Sequence, residues 1–304
     1  MAVREVSGKV RVAVMNAVHD LPVLVARDQG YFEDEGLEIE IVTAPGTAQM
    51  SSDHGAMRGV VFDRTMESLY NDGEVDQYRM CEWGVMKRTV EAAEQGQRPA
   101  KIVALGAAMS SFALVAAPDG DIYEPEQLKD RPVAVSPFNG SHFTTLKMLE
   151  GFIEQQHIQT VNAGTMMERL DQLRRGEIAA ASLMEPWISV AQRQGFRVLI
   201  ETHSSRSEAS RDDLDSSTLA AMFRAQARAA DAINADRASY AHYLLAEVEG
   251  LLEPEDFAAW RLLHAHPARY TRQRFEDTYR WMRRWDLVSA GAEYDAVVDN
   301  RAWD

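Results

Sequence analysis

Cysteine occurs once in 304 residues, at Cys81, so the chain cannot form an internal disulfide. That suits a reducing compartment without excluding an oxidising one. Basic residues are also scarce: 32 Lys and Arg stand against 47 Asp and Glu, a net charge of −15. Phosphate backbones and anionic membranes repel such a chain, which argues against nucleic acid as a partner. A small anion remains a possible ligand, because a local site can oppose the global sign. No stretch approaches the roughly 18 apolar residues of a membrane span, so no membrane insertion is expected. The opening "MAVREVSGKVRVAVMNAV" carries Arg4, Glu5, Lys9 and Arg11 and lacks the apolar core of a signal peptide. It therefore points to a cytoplasmic protein. The alternative is a periplasmic protein whose leader has been removed. With 46% apolar and 26% charged residues, the chain can bury a core, as one large domain or two lobes.

Periodicity supplies the order of elements. "KVRVAVM" (9–15) alternates as a strand, "LPVLVARDQGYFEDEG" (21–36) reads as a helix with Pro22 in its first turn, and "LEIEIVTA" (37–44) alternates again. This βαβ unit implies a parallel sheet. A loop over 45–59, a helix over 64–73, a strand over 75–83 and a helix over 85–96 follow. "AKIVALGAA" (100–108) and "FALVAAP" (112–118) read as two neighbouring strands. A second α/β module comprises the strand "PVAVS", helices over 140–156 and 166–178, a strand over 179–183, a helix over 185–195 and a strand over 196–201. "HSSRSEASRDDLD" reads as a polar loop, and from Ser216 onward the pattern is nearly all helical, "PEDFAAWRLLHAH" included.

Three phrases, in order, carry a resemblance. "LPVLVARDQGYFEDEGLEIEIV", "PFNGSHFTTLKMLEGF" and "LRRGEIAAASLMEPW" resemble the nitrate/sulfonate/taurine-type substrate-binding proteins of ABC transporters. That superfamily also contains thiamine-pyrimidine-synthase-like enzymes. The resemblance spans about residues 9–200. It implies an α/β, type II periplasmic-binding-protein fold: two α/β lobes, a ligand cleft between them and a helical C-terminal region. Lobe 1 would be 1–110 completed by part of the tail, lobe 2 would be 111–202, and the helical tail 203–304 would pack back on lobe 1. An ABC permease is the implied partner if the chain is exported. Most members bind a ligand and some are enzymes, so the fold leaves function open. The chain departs from the transporter pattern in lacking a signal peptide and in carrying "MCEWG" at the end of the third strand.

Ligands of open α/β sheets sit beyond the carboxyl ends of the strands. Asn16 and His19 follow strand 1, Cys81, Glu82 and Trp83 end strand 3, Asn139, Gly140, Ser141 and His142 follow the first lobe-2 strand, and Glu185 ends a later one. "NGSH" before a long apolar helix offers backbone N–H groups and a hydroxyl to an anion, or simply caps the helix. Cys81 reads as a buried filler, as a nucleophile activated by a cation with His19 or His54 as base, or as a metal ligand with His19, Glu82 or His142. No HxxxH or CxxC spacing supports the metal, and none is assigned. Glu82 raises the pKa of a neighbouring thiol, so it reads equally as a general base, a contact to a cationic ligand group or a structural carboxylate. Trp83, Trp187 and Phe138 could sandwich a planar ligand or belong to the core. A pyridoxal phosphate enzyme would need a lysine, and Lys87 and Lys147 are poorly placed; no cofactor is identified. His264 and His266 read as packing or surface residues. The favoured function is binding of a small organic ligand, anionic or planar, in the interlobe cleft. The alternative is a cytoplasmic enzyme on the same fold, in which Cys81, His19 and Glu82 cleave or rearrange a small carboxylated or aromatic substrate.

Overall fold

A computed structural model describes residues 9–43, 65–96 and 99–304. The expected loop over 45–59, with His54, lies outside these residues. The chain divides into two units. Unit 1 comprises residues through Met109, Ser205–Ser239 and Leu263–Asp304; unit 2 comprises Ser110–Ser204 and Tyr240–Leu262. The C-terminal region is thus shared, with 240–262 belonging to unit 2.

Unit 1 opens with β1 (Lys9–Val14), α1 (Ala17–Asp28), the single turn α2 (Tyr31–Asp34) and β2 (Glu38–Thr43). α3 (Met66–Asn71), β3 (Gln77–Cys81) and α4 (Glu82–Glu94) follow. β4 (Lys101–Ala116) and β8 (Arg197–Ser210) each run from one unit into the other. The strand order in unit 1 is β2-β1-β3-β8, with β1 parallel to β2 and β3, and β8 antiparallel to β3. α8 (Ser216–Ala235), α10 (Arg272–Arg284) and α11 (Tyr294–Val297) complete the unit. α8 lies on α1 and α2, where Arg224 pairs with Glu35 and Arg228 with Asp34.

Unit 2 contains β5 (Pro132–Val135), α5 (Gly140–Leu149), β6 (Gln159–Asn162), α6 (Met166–Arg174), β7 (Ala180–Met184), α7 (Trp187–Arg193) and the short α9 (His242–Leu245). Its strand order is β4-β7-β5-β6, with one antiparallel pair and two parallel ones. Both units therefore have the parallel core that the βαβ pattern implied. Among the described residues no helix is long and apolar enough to cross a membrane.

Several boundaries differ from those expected. α1 begins at Ala17, four residues earlier than expected, so Pro22 lies inside the helix. The Asn16 side chain accepts from His19 N, and the Asp20 carboxylate accepts from Met15 and Asn16 N, turning the chain as soon as β1 ends. β3 stops at Cys81 and α4 starts at Glu82 without a loop, where the alternation had carried the strand to Trp83. The expected strands over 100–108 and 112–118 are one, because Ser110 and Ser111 continue β4 as buried residues. "PEDFAAWRLLHAH" forms only short 3-10 turns at Pro254–Asp256 and Ala259–Arg261. Its buried residues Phe257, Arg261 and His264 keep the i, i+4, i+7 spacing of a helix, which is why the stretch read as one. The helix over 140–156 ends at Leu149, before Gly151, and β6 was missed in the sequence.

The largest correction is the polar stretch after His203. It is a strand, the second half of β8, and Ser204, Arg206, Ser207, Glu208 and Ser210 are buried there. Charge pairing makes this tolerable. Arg79 of β3 is fully buried and donates to Asp20 (2.5 Å) and to both oxygens of Glu208 (3.1 and 3.3 Å). Gln77 donates to Glu208 as well, at 2.8 Å. Buried charges persist only when paired and hydrogen-bonded. Gly106 of β4 makes room for the network, since a methyl group there would stand 2.7 Å from Glu208 Oε1. Glu208 is held by Arg79 and Gln77 and has little freedom to withdraw. Gly106→Ala should therefore destabilise the protein by about 1–3 kcal/mol, the usual range for overpacking. Urea denaturation measures it, and an unchanged midpoint would show that Glu208 moves freely.

Candidate functional site

The strand ends of unit 1 bring Asn16, His19 and Cys81 into one polar neighbourhood. His19, in the first turn of α1, is 7% exposed, and its Nδ1 has no hydrogen-bond partner. Burial, then the charges of Arg206 and Arg79, push the imidazole well below its ordinary pKa, so it is neutral near pH 7. Cys81 is 1% exposed and pairs in the sheet with Arg206. Burial raises the thiol pKa; Arg206 opposes this without overcoming it. Burial lowers Arg206 itself to about 10. Arg79 is raised, because its two carboxylates outweigh the burial that disfavours its charge. Two guanidiniums, two carboxylates and a neutral imidazole leave this cluster near zero charge.

Glu82 and Trp83 sit elsewhere in the same unit. As the first residues of α4 they turn toward the C-terminal region. Glu82 accepts from Tyr270 Oη (2.9 Å) and from Arg274 Nε and Nη2 (2.7 and 3.1 Å). Trp83 is buried against Trp281 of α10, with ring centroids 6.0 Å apart. In "MCEWG", then, only the thiol stays with the strand ends, while the carboxylate and the indole anchor α10. Among the described residues no group of three His, Cys, Asp or Glu side chains could hold a metal. Lys87 pairs with Glu91 and Lys147 with Glu150. His264 is buried and its backbone N–H donates to Asn234, while His266 is exposed beside Asp231.

In unit 2 the strand ends present donors. α5 starts after Asn139, whose backbone is extended and whose side chain makes no capping bond. The Asn139 carbonyl accepts from His142 and Phe143 N, which leaves the N–H groups of Gly140 and Ser141 without partners among the described residues. The Ser141 oxygen accepts from Ser136 N at 2.9 Å, so its proton is left to be donated. The Ser136 oxygen accepts from Arg169 Nη2 at 3.1 Å, which leaves its proton free in the same way. Phe138 stands beside them at φ 57°, 45% exposed, its N–H donating to His142 Nδ1 at 3.2 Å. Burial lowers the His142 pKa, which keeps Nδ1 an acceptor. Two amides at a helix N-terminus and two hydroxyls with protons to donate make an arrangement suited to an anion.

Glu185 lies apart from these donors in the contacts it makes. It is 1% exposed and accepts from Ser189 Oγ and Arg261 Nη1, both at 3.0 Å. Burial pushes its carboxyl up to about 7, against the pull of Arg261 and Ser189. Trp187 is buried at the start of α7. Sequence reasoning missed Arg79, Arg169, Arg206 and Glu208. One signal for Arg169 existed: it precedes the buried Leu173 by four residues, on the inner face of α6.

The family model described as "NMT1/THI5 like" matches residues 17–58. No curated protein matches the chain. Among solved structures, the periplasmic aliphatic sulphonate binding protein SsuA from Escherichia coli is similar at a TM-score of 0.70 and 14% identity, over 96% of this chain and 92% of that chain. A Candida albicans protein described as having the generic periplasmic binding protein fold is similar at a TM-score of 0.65 and 14% identity, over 96% of each chain. The desulfurization enzyme DSZB is similar at a TM-score of 0.60 and 12% identity, over 95% of this chain and 96% of that one. These likenesses show the periplasmic binding protein fold, in accord with the resemblance seen in the sequence.

A buried thiol with a raised pKa should react slowly. Native protein treated with iodoacetamide should label at Cys81 only after urea unfolding, as read by mass spectrometry. Fast native labelling with an apparent pKa below the free-thiol value of about 8.5 would contradict the burial described here.

Proposed function

We propose that the protein binds a small organic anion reversibly, the acidic group held at the N-terminal turn of α5. The observation that carries this reading is the donor set of Gly140, Ser141 and Ser136: two amides without partners among the described residues and two hydroxyls whose oxygens already accept a bond, with no capping side chain. Its donors are fixed by the fold before any ligand arrives, so little ordering cost is left for binding. The chain's charge of −15 repels anions at long range; binding therefore depends on short-range contacts at these groups. Phe138, exposed beside them, offers an apolar surface to the organic part of the ligand. Similarity to a sulphonate binding protein makes aliphatic sulfonates the first class to test. Delivery to an ABC permease is the corresponding role if the chain is exported.

A second reading, catalysis on the same fold, is supported by one observation beyond the likeness to a desulfurization enzyme: the Arg206 charge bears on both Cys81 and His19. The burial of the thiol weighs against it.

Calorimetric titration with alkanesulfonates and carboxylates tests the binding reading. Saturable binding of at least one anion, unchanged ligand after incubation and roughly ten-fold or greater weakening in Ser141→Ala, the loss expected for a hydrogen bond to a charged group, are the expected results. No binding across both classes would overturn it, and consumption of the ligand would favour catalysis.

A further inference from the structure

Arg169 is the cation of unit 2 that the donor site does not need for contact yet touches through another residue. It is 3% exposed, and its Nε has no hydrogen-bond partner. Its other nitrogens donate only to neutral groups: Nη1 to the Ser182 carbonyl (2.8 Å), Nη2 to the Gly164 carbonyl and the Ser136 hydroxyl (both 3.1 Å). Among the described residues no carboxylate hydrogen-bonds to it. The acidic neighbour Glu168 is engaged with the backbone of Thr165 instead. By contrast, the buried Arg79 and Arg261 are both paired with carboxylates.

Burying a guanidinium with no carboxylate bonded to it is costly, and here burial lowers its pKa to about 10 against the opposing pull of the Glu168 charge. The fold nevertheless arranges for it. Arg169 ties together the end of β5, the turn before α6 and β7. Gly164, at φ 70°, presents its carbonyl where a methyl group would collide with the Glu168 carboxylate. A guanidinium has no acceptor, so its bond to Ser136 occupies a lone pair and leaves the hydroxyl proton to be donated away from Arg169. In a poorly polarisable interior its charge also reaches further than it would in water.

We propose that Arg169 is the positioning residue of the α5 anion site, acting through the Ser136 hydroxyl, without touching the ligand, to make the site select a full negative charge over a neutral isostere. The inference rests on the binding reading above. The bound anion adds to the charge of Glu168, which acts on Arg169 without bonding to it.

The test compares butane-1-sulfonate with the neutral butane-1-sulfonamide, by NMR titration of wild type, Arg169→Gln, Arg169→Lys and Ser136→Ala, since shifts follow binding into the millimolar range. Arg169→Gln should lose about ten-fold or more in sulfonate affinity and little in sulfonamide affinity. Arg169→Lys, which keeps the charge, should recover part of the preference. Should Arg169→Gln fail to fold, Ser136→Ala, at a half-buried position, carries the test with the same selective loss expected. Equal losses for both probes would assign Arg169 a merely structural role and overturn the proposal, as would unchanged sulfonate binding in either variant. Wild type that binds no anion would overturn the site and this inference together, whereas wild-type binding with unchanged variants overturns this inference alone.

Discussion

The Arg79 guanidinium, buried between Asp20 and Glu208, is the constraint on which unit 1 depends. It joins the start of α1 to β3 and β8, three pieces of chain far apart in sequence. A charge in that position must be answered by carboxylates, and the consequences spread outward. Glu208 has to enter the sheet, so a polar strand becomes core. Gly106 has to lack a side chain, so β4 can pass it. Asp20 has to fold back on Met15 and Asn16, so α1 starts early and places His19 beside the strand ends. The cluster is neutralised from within and has little charge left for a ligand.

Unit 2 has two buried arginines, and while Arg261 is paired with Glu185 and Glu201, Arg169 is treated differently. Arg169 meets carbonyls and a hydroxyl where Arg79 meets carboxylates. The contrast separates a structural use of charge from one available to a ligand. For the anion binding proposed above, the local field at α5 is set by a few groups within hydrogen-bonding reach, and the surface charge is screened over about 10 Å at ordinary ionic strength.

Much of the fold was legible in the sequence. The alternation of β1 and β2 around an amphipathic helix pointed to the parallel unit, the order of elements to the second α/β module, and the resemblance to the periplasmic-binding-protein fold. The illegible parts have separate causes. Hydropathy sums over single residues, whereas burial of Arg79, Arg206 and Glu208 depends on pairs, so "HSSRSEAS" read as a loop. The only glycine near the β3–α4 boundary, Gly84, lies inside α4, so the strand was carried on to Trp83; of the roles open to Glu82 and Trp83, ligand contact or structure, their contacts are structural, to Tyr270, Arg274 and Trp281. At α5 the residues of the donor site were legible from "NGSH", while the directions of their hydrogen bonds were not. Ser141 serves Ser136 N rather than the helix it begins, and that direction frees the α5 amides.

The central claim is that the first turn of α5 receives the ligand's acidic group. The most direct measurement is the backbone amide resonances of Gly140 and Ser141, followed by NMR during titration with an alkanesulfonate. The account predicts large, saturable shifts at these two amides, sharing one dissociation constant. Saturable shifts confined to the α1 and β3 ends around His19 and Cys81, with Gly140 and Ser141 unmoved, would contradict it.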